Sequence, residues 1–167
     1  MINVKVINIT WEKIEFEQSQ INMYSNEIDF GIYQIYGQHP AYGRDSLLYI
    51  GKAEMFASRL KERFEFLESC AIPTSIRLGR LTNSKLEDEL NIGAEEKDRL
   101  IAIAEKILIK SHAPAFNKQD NSGLFSATGI DGQHYIIRNW EDYGCLLPEI
   151  STLKLSYRFW AFDNPVI

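Results

Sequence analysis

Apolar and polar residues recur along this chain with two periods, and each period predicts its own kind of element. Residues 1–9 alternate through Val4 and Val6 and fit a short strand, whereas 11–26 mix both patterns and carry no assignment. Residues 29–36, rich in Ile, Phe and Tyr, read as a strand, and 47–51 as another. Pro40, Gly43 and Asp45 make the residues between them, 37–46, a long hairpin loop. In 54–68 the period becomes helical: Phe56, Leu60, Phe64 and Leu67 share one face, and Arg59 and Arg63 lie on its edge one turn apart. Ile76 and Leu78 then alternate with Arg77 and Gly79, which predicts a third strand over 75–81.

A short charged helix follows over 81–90, capped by Thr82 or Asn83. The longest helical pattern covers 94–111, with Leu100, Ile103, Ala104, Ile107 and Leu108 as a broad apolar face and Pro114 beyond its end. Glu105 falls about 60° from Leu108 on that helical wheel, on the shoulder of the face. From residue 121 onward turn residues and the apolar-aromatic runs 134–140 and 153–160 predict a strand pair packed on the core.

With 167 residues, 45% of them apolar, the chain can bury one sizeable core. Cys70 and Cys145 form neither a disulfide framework nor a metal knuckle, and both read as reduced and buried or half-buried. His39, His112 and His134 show no metal-ligand spacing. His112 reads as a residue that ends its helix on the last carbonyls, and Trp140, Tyr157, Phe159 and Trp160 read as core. No apolar stretch reaches the roughly 20 residues that span a bilayer, so no membrane partner and a cytoplasmic location are expected.

The net charge of −5 argues against nonspecific binding to nucleic acid, which lysine and arginine drive by displacing counterions. The charge is unevenly spread. Residues 52–80 hold six basic and four acidic side chains, and 81–100 hold three and six, so a phosphate-binding surface would draw on the first segment.

Two tripeptides carry the chemistry: Gly31-Ile32-Tyr33 on the first strand and Tyr49-Ile50-Gly51 on the second. Taken singly, these are ordinary strand residues. The residues downstream arrive in a more specific order: Lys52 next, Arg59 ten residues after Tyr49, Glu105 in a later helix, and Asn117 twelve residues beyond it. Ser75-Ile76-Arg77-Leu78-Gly79-Arg80 adds a basic third strand. This ordered set, over residues 30–118, resembles the GIY-YIG nuclease superfamily and, in the basic strand, its homing-endonuclease branch. Arg63 stands where parts of that family place an aromatic residue or histidine. Pro73-Thr74 replaces a histidine that often precedes the third strand, and His39 could substitute as a proton acceptor.

The resemblance implies an α+β fold: a three-stranded antiparallel sheet flanked by helices over 29–120, with an N-terminal extension over 1–28 and a strand-rich C-terminal extension over 121–167. It implies a metal-dependent endonuclease that hydrolyses phosphodiester bonds in DNA. Tyr33, Tyr49, Arg59 and Glu105 would be the catalytic residues. Glu105 would give one oxygen to Mg²⁺ or Mn²⁺, and Arg59 would offer its planar donors to the phosphoryl group. Tyr49 would orient or deprotonate the attacking water, and Tyr33 would hold that water or a phosphate oxygen. Lys52, Arg63, Arg77 and Arg80 would contact phosphate on one electropositive face, with Gly31, Gly51, His39 and Asn117 in support. The expected partner is DNA, branched or damaged forms included, with RNA also compatible. Dimerisation or a second protein would supply specificity. The alternative is a noncatalytic nucleic-acid-binding or protein-interaction module on the same fold, which the acidic balance favours.

Overall fold

The computed structural model describes residues 3–15, 17, 31–70, 72–83, 90–117, 130 and 132–154, with the backbone alone for 64–70. In chain order the elements are β1 (Val4–Glu15), β2 (Gly31–His39), β3 (Gly43–Ala53), α1 (Phe56–Cys70), β4 (Ile72–Thr82), α2 (Ala94–His112), β5 (His134–Glu141) and β6 (Glu149–Ser151). The charged helix expected over 81–90 and the strand expected over 153–160 fall largely outside the described residues.

The six strands form one sheet in the order β3-β2-β4-β1-β5-β6. Every neighbouring pair is antiparallel except β1 and β5, which run parallel. This corrects the expected three-stranded antiparallel sheet: the sheet is mixed, twice as wide, and curls into a half-barrel. The reason lies in the core. Ile7, Ile9 and Trp11 on β1 and Tyr135 and Ile137 on β5 join Ile32 and Ile50 beneath the broad apolar face of α2, around Leu100, Ala104, Ile107 and Leu108. Three strands would leave much of that face in water. Burying it removes roughly 1.5–3 kcal/mol of exposure per large side chain, which favours the wider sheet.

The opposite face of β2, β3 and β4 packs under α1, where Tyr33, Ile35, Leu48, Ile76 and Leu78 meet Phe56, Ala57 and Leu60. Because α1 and α2 lie on opposite faces, β2 is buried on both sides from Gly31 to Gly37. Its run of apolar residues with no alternation is therefore what a central strand requires.

The β2–β3 connection is much tighter than the ten-residue loop expected. Both strands extend, leaving only residues 40–42 between them. His39 closes the turn, its Nδ1 accepting the backbone N–H of Ala41 at 3.1 Å and of Tyr42 at 3.2 Å. Gly43 continues the turn with φ +87°, a conformation that strongly favours glycine. Register shifts near Tyr36 and Gly37 absorb the extra residues.

Candidate functional site

The edge strand β3 leads directly into α1, so the first turns of that helix rise beside the two motif tyrosines. In the β2–β3 ladder Tyr33 faces Gly51 and Ile35 faces Tyr49, which makes the tyrosines diagonal neighbours. Their rings stack with centroids 6.0 Å apart, and the Arg63 guanidinium lies 5.0 Å from the centre of the Tyr49 ring. A side chain at Gly51 would put its Cβ 2.6 Å from the Tyr33 hydroxyl, so the second motif's glycine is the space into which Tyr33 packs. At Gly31 a Cβ would collide with the Gly79 carbonyl.

Tyr33 is fully buried, and its hydroxyl meets no hydrogen-bond partner. Burial pushes its pKa well above the ordinary tyrosine value and the nearby Tyr49 adds to this, while Arg63 and Arg59 pull in the opposite direction. Arg63 acts on the hydroxyl by its charge and as a hydrogen-bond donor, but the contact is poorly aligned, and its own Nε is buried without a partner. The cluster therefore holds two buried donors, the Tyr33 hydroxyl and the Arg63 Nε, without a well-aligned acceptor. An incoming oxygen with free lone pairs would supply one.

Arg59, one turn before Arg63, is bound to Glu62 at 2.6 Å and is 42% exposed along its side chain. The Glu62 hydrogen bond is the main cause of its raised pKa. With Lys52, Glu54, Met55, Ser58 and Glu62, Arg59 lines an open cavity of about 570 Å³. Lys52 crosses to Asp98 on α2 at 3.0 Å. Both are exposed surface pairs, which contribute roughly 0–1 kcal/mol and yield readily to a phosphate.

Glu105 does reach this neighbourhood, and burial raises its carboxyl pKa while Lys52 and Arg59 draw it down. Its contact, however, is structural. Oε1 accepts the Lys52 backbone N–H at 2.8 Å, on the outer edge of β3. Asn117 continues the same cover, its side chain accepting the Ile50 N–H at 2.9 Å and donating to the Ile50 carbonyl at 2.8 Å. Phe116 and Ala115 donate to the Leu48 and Leu47 carbonyls. Together they satisfy backbone groups of β3 that would otherwise be open for pairing with another strand.

The chain matches no protein family, no curated protein and no solved structure.

The geometry corrects several expectations. The six-stranded mixed sheet is not the three-stranded core of GIY-YIG nucleases, so the resemblance stops at short motifs. Among the described residues no group of three or more His, Cys, Asp and Glu side chains could hold a metal ion. The donor set does not fit the expected Mg²⁺ or Mn²⁺, with Glu105 in no such group among the described residues and already holding a backbone N–H. The reading as a divalent-metal-dependent endonuclease, with its hydrolytic and magnesium chemistry, is withdrawn on these grounds.

The structure brings Tyr33, Tyr49, Lys52, Arg59, Arg63 and Glu105 into one neighbourhood. It leaves the other named residues elsewhere. His39 sits six residues along β2 from Tyr33, about 20 Å away at strand spacing, and stacks on Tyr42 at 4.6 Å. Arg80 shares the α1 side of the sheet, 5.8 Å from the Phe56 ring, and pairs with Glu12 at 3.2 Å. Arg77 lies on the opposite face against the Tyr36 ring. Cys145 is free and exposed rather than buried, and Trp140, expected in the core, is 40% exposed. Asp98 and Glu62, the acidic partners of Lys52 and Arg59, escaped the sequence reading. Glu62 was visible as the i+3 neighbour of Arg59, whereas nothing local marks Asp98.

Proposed function

We propose that this chain is a noncatalytic nucleic-acid-binding module that receives a backbone phosphate at the Tyr33–Tyr49–Arg63 cluster, with Arg59 and Lys52 flanking it. One observation carries the reading: the Tyr33 hydroxyl and the Arg63 Nε are buried without a well-aligned partner, and Arg59, which acts on Tyr33, also lines an open cavity with Lys52, where Glu54 and Glu62 offset part of the positive charge. A phosphate oxygen is a strong acceptor, and an arginine held flat against an aromatic ring is oriented in advance for it. The net charge of −5 limits long-range attraction, so binding rests on a few close contacts and depends modestly on salt.

The test is fluorescence anisotropy of labelled duplex and single-stranded oligonucleotides in chelator, across a salt series, for the parent and for Arg59→Ala/Arg63→Ala. The logarithmic salt slope on duplex should become shallower by roughly 0.9 in the double variant, the share of the one phosphate no longer neutralised. Equal affinity and slope for parent and variant would place the binding surface elsewhere. A protein-interaction module is the second reading, favoured by Val4, Val6 and Trp140, which stand exposed on the half of the sheet that α1 does not cover.

A further inference from the structure

A second set of buried donors without acceptors lies on the other face of the sheet from Tyr33. Gln34 on β2 and Arg77 on β4 are direct register partners, so their side chains rise next to each other at the strand spacing of about 4.8 Å. Gln34 is fully buried. Its Oε1 accepts the Tyr36 hydroxyl at 2.6 Å, and its Nε2 has no partner. Arg77 lays its guanidinium 4.2 Å from the centre of the Tyr36 ring, and its Nε and Nη1 are buried with no acceptor.

The β5–β6 loop roofs this cluster. Cys145 donates its backbone N–H to the Tyr36 oxygen at 3.0 Å. Gly144, at φ +65°, lies so close that a Cβ there would stand 2.9 Å from the Arg77 Nε. The roof supplies no acceptor to the guanidinium, and among the described residues no carboxylate pairs with it. The Tyr36 ring offers only its π-face, a partial compensation for the buried side of the half-buried guanidinium. Turning over the Gln34 amide would aim its carbonyl toward Arg77 and its Nε2 toward the Tyr36 oxygen, yet among the described residues no carboxylate would pair with the guanidinium.

We propose that Gln34 and Arg77, beneath Gly144 and Cys145, form a buried site for a small monovalent anion of the chloride class. A monatomic ion suits the position because Gly144 approaches Tyr36 and Arg77 too closely for a larger group, and the unpartnered Gln34 Nε2 and Arg77 Nε and Nη1 are buried. An anion there accepts from both side chains, cancels the guanidinium charge and ties β2, β4 and the β5–β6 loop together. This site is independent of the phosphate-binding surface, from which the sheet separates it.

Bromide tests it directly on the intact chain. Crystals grown or soaked in bromide should show an anomalous peak within hydrogen-bond reach of Arg77 and Gln34. In solution, replacing gluconate by chloride at constant ionic strength should raise the thermal midpoint of the parent by about 3 °C or more at saturation. The Arg77→Gln variant should lose that dependence. A water at the position, a Gln34 carbonyl turned onto Arg77 with no ion, or a parent midpoint indifferent to the anion would overturn the proposal. If Arg77→Gln does not fold, the bromide peak in the parent decides alone.

Discussion

Glu105 separates a structural account of this site from a chemical one, and substitutions at that position read out the difference. In the structure its Oε1 accepts the Lys52 N–H at 2.8 Å, while burial raises its carboxyl pKa. Glu105→Ala removes the acceptor and leaves a half-buried N–H on the edge strand unpaired, at a cost of about 1–3 kcal/mol. Each kcal/mol lowers the midpoint of a chain this size by about 2–4 °C. Glu105→Gln keeps a carbonyl oxygen for Lys52 and deletes a charge that burial disfavours, so it should stay within about 0.5 kcal/mol of the parent. The sign with pH follows from the raised pKa. The carboxyl is tolerated best below its unfolded value of about 4.3, and its contribution declines as pH rises through the folded value, so glutamine gains on the parent over that window. Urea denaturation at about pH 4 and about pH 7 on all three proteins measures this. An alanine variant as stable as the parent, or a glutamine variant that loses as much as alanine, would refute the edge-cover role.

Two further substitutions probe neighbouring features. Gly51→Ala should cost about 1–3 kcal/mol by overpacking and weaken oligonucleotide binding, because its Cβ would stand 2.6 Å from the Tyr33 hydroxyl and 2.7 Å from Tyr33 Cζ. Parent-like unfolding and affinity would show that the stack does not depend on that space. His112 donates from Nδ1 to the Leu108 carbonyl and accepts the Leu147 N–H at Nε2, both at 2.9 Å, which only the neutral ring can do. Burial lowers its pKa. The stability it contributes is present above the unfolded value of about 6.5 and is lost as pH falls from there through the lowered folded value. The stability difference between the parent and His112→Ala should therefore shrink from about pH 7.5 to about pH 5, and a constant difference would refute the assignment.

Local pattern revealed the elements better than their assembly. Strands around Ile32–Tyr36, Leu47–Gly51 and Ile76–Leu78 were legible because β-branched and aromatic residues concentrate there, and α2 because its apolar positions repeat at helical spacing over 19 residues. The sheet itself was not. β1 carries Glu12, Lys13 and Glu15 in its second half, which blurs alternation where it pairs with β4. Its parallel partner β5 lies more than 120 residues away, and no local signal records such a pairing. The closeness of Tyr33, Tyr49, Arg59 and Arg63 was foreseeable from two adjacent strands followed at once by a helix. Glu105 was placed on the shoulder of its helix correctly, but the backbone N–H that occupies it belongs to a residue 53 positions earlier, visible only once β3 stands at the sheet edge. The Gln34–Arg77 cluster was hidden for the same reason, as it exists only through β2–β4 register and a loop from β5.

The most direct test of the central claim is one incubation of a labelled duplex with the parent and with Arg59→Ala/Arg63→Ala in magnesium buffer, split between a native and a denaturing gel. A noncatalytic phosphate-binding site predicts a retarded band for the parent, a weak one for the double variant, and full-length strands recovered from both. Cut strands with the parent, or equal retardation by the two proteins, would contradict it.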